Sequence, residues 1–178
     1  MPLLAGQEAS GIACRTFRAT VASLALLSGL AQPDELRPAA ASLADRIDGA
    51  AAWLEPMVTA LHGAPSIDVI AGALALGLAE QGALMLREAP RLPAHAWETA
   101  DWLHTAVYLA LPGHRAVLLA GSAADAEVVA TVQRRGGEVI TIAPPDGAGI
   151  TAALVTSVVP ELLAAGLWQK AAAVDKAP

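Results

Sequence analysis

The stretch RAVLLAG, SAADAEVVATVQRRGG, EVITIAP, residues 115 to 144, restricts the fold more than any other part of the chain. Its first run is short, apolar and β-branched enough for a buried strand. The middle segment carries apolar residues at helical spacing and closes on Gly136-Gly137, and the last run is again strand-like. Strand, helix and strand in this order make a βαβ unit from Val117 to Ala143, whose strands must be parallel and joined by a right-handed crossover. A parallel sheet needs helices on both faces, and the remaining sequence supplies them.

From Ser66, the apolar run IDVIAGAL precedes a helical stretch ending at Glu88, and AHAWE reads as a strand before helical TADWLHTAV. ITAALVTSVVPELLAAGLWQK reads as one final helix. Ahead of Ser66 the pattern is helical: TFRATVASLALLSGL (16 to 30), then one or two helices across QPDELRPAAASLADRIDGAAAWLEPMVTALHGAP, with turns at Gln32-Pro33-Asp34 and Gly63-Ala64-Pro65. The expectation is an α/β domain over 66–170 with four to five parallel strands. A helical lead-in over 1–65 precedes it, and a frayed tail over 171–178 follows.

Composition narrows the function classes. With 178 residues the chain can bury roughly two-thirds of its unfolded surface without disulfides or metals. Eleven basic against 17 acidic residues give a net charge of −6, and no Lys/Arg block could meet a row of phosphates, so nucleic acid is excluded as a partner. The apolar fraction of 55% and mean hydropathy of +0.50 reflect alanine-rich packing; the run from Val69 to Ala79 stops at Glu80, too short to span a bilayer. A lone cysteine, Cys14, and an N-terminus without a basic leader predict a cytoplasmic, reducing setting, with neither a disulfide nor a zinc site. No P-loop, dinucleotide-binding or nucleophile-elbow motif occurs.

Candidate chemistry lies in AEQGALMLRE, residues 79 to 88. On a helix, Gln81, Met85 and Glu88 share one face. Glu88 falls near the C-terminus, where the macrodipole disfavours an anion and so favours proton transfer. A solvated helix end beside Arg87 is the plainer alternative. His104, in WETADWLHTAV, is an imidazole able to shuttle protons near neutrality, or simply a packed or exposed one. Ser122, between strand and helix, could offer its hydroxyl and N–H to a phosphate; its spacing to Asp125 equally fits a helix cap.

The run AEQGALMLREAPRLPAHAWETADWLH resembles the second sugar isomerase (SIS) domain of aminosugar-phosphate isomerases and deaminases, including the isomerase half of glutamine:fructose-6-phosphate aminotransferase. There the helix reads like EGALKLKE, followed by AEAY and a helix opening with E-x-x-HGP. The glutamate and histidine of that pattern fall on Glu88 and His104 with no gap. AGQEASGIACRTFRATVASL is similar to the segment that ends the first SIS domain, and residues 115 to 144 resemble the second domain's last βαβ.

The resemblance implies a flavodoxin-like SIS sheet and a carbohydrate-derivative ligand, a phosphorylated sugar or aminosugar. It implies no cofactor and no metal, and as partner either a second copy in a homodimer or a complete SIS protein. It implies catalytic roles for Glu88, moving a proton between C1 and C2, and for His104, opening the sugar ring from a neighbouring subunit. Gly11, Ile12 and Met85 fall at substrate-binding positions.

The departures are specific. Met85 replaces the family's lysine, Gln81 its glutamate, His104-Thr105-Ala106 its HGP, and Ala71-Gly72-Ala73 its Gly-Arg-Gly strand end; Arg15 replaces the lysine of ATK. In the family the Ser/Thr-rich phosphate loops lie in the first SIS domain, ahead of the position of Ala5-Gly6. Loss of an ammonium beside a carboxylate removes charge stabilisation worth several kcal/mol in such sites. The expectation is therefore a binding protein with degenerate catalysis. The alternatives are an aldose–ketose isomerase completed by a partner chain and a non-catalytic dimerisation module.

Overall fold

The computed structural model describes residues 3, 5–8, 12–145 and 149–174. Three helices lead in: α1 (Cys14–Leu27), α2 (Pro33–Asp48) and α3 (Ala50–Leu61). Pro33 at the first helical position and a reciprocal Gln32/Glu35 capping box start α2, with the Gln32 backbone N–H donating to Glu35 at 2.7 Å. The α/β region follows in the order β1 (Ile67–Ala71), α4 (Leu76–Glu88), β2 (Ala94–Glu98), α5 (Thr99–His104), β3 (Arg115–Leu119), α6 (Asp125–Arg134) and β4 (Glu138–Ile142). Helices α7 (Gly149–Thr156) and α8 (Val158–Val174) close the chain.

The four strands form one sheet in the order β2-β1-β3-β4, every pair parallel, with Ile67 opposite both Ala94 and Arg115, and Arg115 opposite Glu138. Alternation along the strands divides the core. Val69, Ala71, Val117 and Leu119 face α4, α8 and α3, whereas Ile70, Ala116 and Leu118 face Trp102 of α5 and Val128 and Val132 of α6. Both faces are covered, as a parallel sheet of apolar strands requires.

Two expectations about helices are corrected. Residues 150 to 170 form not one helix but two, separated at Ser157. Pro160 has no N–H to give to the carbonyl of residue 156, and its ring crowds that carbonyl. Thr156 Oγ1 and Ser157 Oγ turn inward and donate to Ala152 O at 2.9 Å and Leu154 O at 2.7 Å. Helix α8 also runs on to Val174, past Lys170, because three alanines extend it at little conformational cost. TADWLHTAV is likewise interrupted: α5 ends at His104 and a 3-10 turn follows at Ala106–Leu109. The stretch Gly149–Ala172 is long and apolar enough to cross a membrane by length and composition, yet 56% of its most apolar window is buried.

Candidate functional site

Three predicted residues meet where α4 ends. Gln81, Met85 and Glu88 do share one face, and the chain segment before α1 runs along it: Gln81 Nε2 donates to Ala13 O at 3.4 Å, and the Cys14 thiol contacts Met85 Sδ at 3.4 Å. Ile12 and Glu88 line one cleft of about 400 Å³ together with Ala89, Pro90, Arg91 and, from the last turns of α8, Trp168. Met85 lies one turn below, buried. Gly11 falls outside the described residues. His104 is not brought to this cleft. It is exposed at the end of α5, on the opposite face of the sheet from α4, so Glu88 and His104 do not converge within one chain.

The electrostatics around Met85 are those of a packed interior. Burial, and next the Glu161 charge, push the Cys14 thiol up to about 11, although Arg18 opposes the shift. Glu161 on α8 is raised by burial against the hydrogen bond and charge of Arg18, which pairs with it directly. The position at which the family resemblance expects an ammonium thus holds a thioether against a neutral thiol.

A second crevice, about 320 Å³, opens at the carboxyl ends of β1 and β3, where the strand order reverses and open α/β sheets usually bind ligands. Here Gly121 and Ser122 donate their backbone N–H groups to Asp125 Oδ2 at 2.7 and 2.9 Å, and Ser122 Oγ accepts from Ala124 N at 3.3 Å. Glu98, on the other wall, accepts from Ala100 N and Asp101 N at 2.7 and 3.2 Å. The donors that would hold a phosphate are already taken by the chain's own carboxylates. Ser122 does not cap α6, whose N-cap is Ala124 without a side-chain hydrogen bond; Asp125 at the helix start instead ties back the turn before it, and the crevice is a poor anion site.

Sequence reasoning missed two cleft residues. Trp168 lines the cleft and is 53% exposed, but the sequence shows it only as one apolar residue in a helix. Arg91 has a φ of +58°, the positive value that among the described residues is otherwise confined to glycines. Its flanking prolines, Pro90 and Pro93, signal a helix end but not a left-handed arginine. Among the described residues, no group of three or more His, Cys, Asp or Glu side chains is placed to hold a metal ion.

The four-stranded parallel sheet with helices on both faces is an SIS-type α/β fold. The C-terminal domain of glucosamine-fructose-6-phosphate aminotransferase from Francisella tularensis superposes with a TM-score of 0.75 at 15% identity, over 88% of this chain and 54% of that one. A candidate phosphosugar isomerase from Silicibacter pomeroyi gives 0.72 at 24% identity, over 96% of this chain and 57% of that one. An Escherichia coli CFT073 protein in complex with A5P gives 0.60 at 14% identity, over 78% and 88%. The chain therefore spans little more than half the length of the first two structures. No family model matches its sequence, and no curated protein does.

Proposed function

We propose that this chain is an SIS-type protein that binds a carbohydrate derivative in the cleft between the end of α4 and the end of α8, and that its catalytic apparatus is degenerate. The observation that carries this reading is the meeting of Ile12 and Glu88 with Trp168 around one cleft, while Met85 sits buried against Cys14 where a cation is expected. A carboxylate accepts hydroxyl protons, and an exposed indole packs on the apolar face of a sugar ring. The solved structures of like fold, one of them in complex with A5P, support the ligand class.

One observation favours a second reading, an aldose–ketose isomerase completed by another chain. Glu88 and His104 are both exposed, and so both are open to a residue supplied from outside.

Thermal-shift titration with fructose-6-phosphate and glucosamine-6-phosphate tests the first reading. A ligand at 100 times its Kd adds roughly 2.7 kcal/mol of stability. The expected result is a saturable shift without isomerisation, and Glu88→Gln weakens the shift. No shift with any sugar derivative overturns the binding reading. Turnover that Glu88→Gln abolishes while affinity survives establishes the second reading in its place.

A further inference from the structure

We propose that Arg91 is the anion-binding group of the α4–α8 cleft and selects a phosphorylated (or otherwise anionic) sugar derivative over its neutral counterpart. The inference rests on the reading of that cleft as a carbohydrate site and adds the chemistry that reading lacks.

Three observations converge. The first is backbone conformation: Arg91 holds φ at +58°, whereas the other described residues at positive φ are Gly6, Gly29, Gly63, Gly113, Gly121, Gly136 and Gly149. For a residue with a Cβ this conformation costs roughly 1–2 kcal/mol, and after a helix it is normally given to glycine. The turn itself has a purpose, since it returns Leu92 N to Leu86 O at 3.0 Å and leads into β2, but that purpose needs only the backbone. Glycine would serve it better. The arginine side chain is what the strain retains, and strain of this kind gathers at ligand sites.

The second observation is the side chain's lack of partners. Arg87 Nη1 donates to Ala94 O at 2.7 Å, Arg115 Nε to Ala60 O at 3.0 Å, and Arg134 Nη2 to Thr131 Oγ1 at 2.8 Å, while Arg18 pairs with Glu161. Arg91 is exposed and lines the cleft, and its guanidinium, like those of Arg37, Arg46 and Arg135, which do not line it, makes no hydrogen bond or ion pair among the described residues. Its fork of donors is the geometry that phosphate and carboxylate groups fit.

The third is the field around it. The carboxyl end of α4, the last turns of α8 and the Glu88 carboxylate all place negative charge at this mouth, and Arg91 is the cation lining it. Without Arg91 the cleft repels anions. With it, one end of the cleft takes an anionic group while Glu88 receives hydroxyls. Because the β1/β3 crevice has its N–H donors occupied by Asp125, the cleft is also the better anion site of the two.

The test is calorimetric titration of the full chain at low salt with glucosamine-6-phosphate and with glucosamine, for wild type, Arg91→Gly and Arg91→Asn. Both substitutions accept a left-handed backbone, so the melting temperature should hold or rise. The expected result is that wild type prefers the phosphate ester and that both variants lose roughly ten- to a hundredfold in affinity for it, with glucosamine binding unchanged. Undiminished phosphate-ester binding in the two variants overturns the assignment. Equal wild-type affinity for both sugars overturns it too, while leaving the cleft a sugar site. Binding of neither sugar overturns the cleft reading and, with it, the role of Arg91.

Discussion

The indole N–H of Trp102 donates to Asp68 Oδ2 at 2.9 Å in a place closed to water: Trp102 is 0% exposed and Asp68 6%. Trp97 Nε1 donates to the other carboxylate oxygen at 3.1 Å, so one acid near the start of β1 anchors β2 and α5 to the sheet. Removing the acceptor leaves two indole donors without their partner. Asp68→Ala should therefore destabilise the fold by about 3 kcal/mol, against about 1–2 kcal/mol for Asp68→Asn, which keeps one acceptor oxygen. Urea midpoints at pH 7 decide this, and an Asp68→Ala variant within about 0.5 kcal/mol of wild type would show that the carboxylate anchors nothing.

The same carboxylate makes stability depend on pH through His114. Nε2 of His114 lies 3.3 Å from Asp68 Oδ2, and the imidazole is 6% exposed. Burial lowers its pKa below the ordinary 6.5, with the Asp68 charge opposing and Arg115 adding to the shift. The folded state thus binds the proton less readily than the unfolded state does. The stabilising contribution is complete above about 6.5 and is lost progressively as the pH falls from there toward the folded value. Chemical denaturation of wild type and His114→Gln between pH 7.5 and 5 should give a steeper loss for wild type. The exposed His95, whose Nδ1 is 3.7 Å from Asp68 Oδ1, serves as the control position. Equal slopes in wild type and His114→Gln would remove His114 from the account.

Much of this fold is legible in the sequence because periodicity reports burial. Residues 115 to 144 alternate strand, helix and strand because each element hides an apolar face, which makes the parallel sheet legible, though not its strand order β2-β1-β3-β4. The stripe Gln81, Met85, Glu88 is legible for the same reason. What stays hidden depends on partners distant in the chain or on local backbone geometry without a sequence signal. Asp68 looks like an interruption in an apolar run until two tryptophans about 30 residues away supply donors. Pro160 reads as tolerable in a helix until the side chains of Thr156 and Ser157 are seen bonding back to the preceding turn. The left-handed turn at Arg91 has no composition signal, since arginine is not a residue that φ preference would place there.

Cys14 should be a slow nucleophile. Its thiol is pushed up to about 11, so only about one molecule in a thousand is thiolate at pH 8. Greater intrinsic reactivity of a more basic thiolate recovers part of the deficit, leaving alkylation by iodoacetamide roughly tenfold slower than for an ordinary cysteine. Met85→Ala, which removes the thioether partner and opens the site to water, should bring the rate toward the ordinary value. A wild-type rate equal to that of a free thiol would mean that the Cys14–Met85 contact does not persist in solution.

Gly166 fixes how closely α8 approaches the lead-in helices. A Cβ built there would lie 2.6 Å from Val58 Cγ2 of α3, well inside contact distance. Gly166→Ala gains helix propensity, about 1 kcal/mol, yet must displace the buried Val58 side chain, at a cost of about 1–3 kcal/mol. The net expectation is a loss of about 1 kcal/mol. Adding Val58→Ala removes the obstructing methyl, so the double variant should be more stable than the two single losses predict, by about 1 kcal/mol of coupling. Strict additivity would mean that the two helices slide apart without resistance. Trp168 stands two residues beyond Gly166 and forms a wall of the cleft, so a displaced α8 should also weaken sugar binding in Gly166→Ala, and the Val58→Ala partner change should restore it. That joint recovery of stability and affinity would tie the helical lead-in to the site, through one missing methyl group.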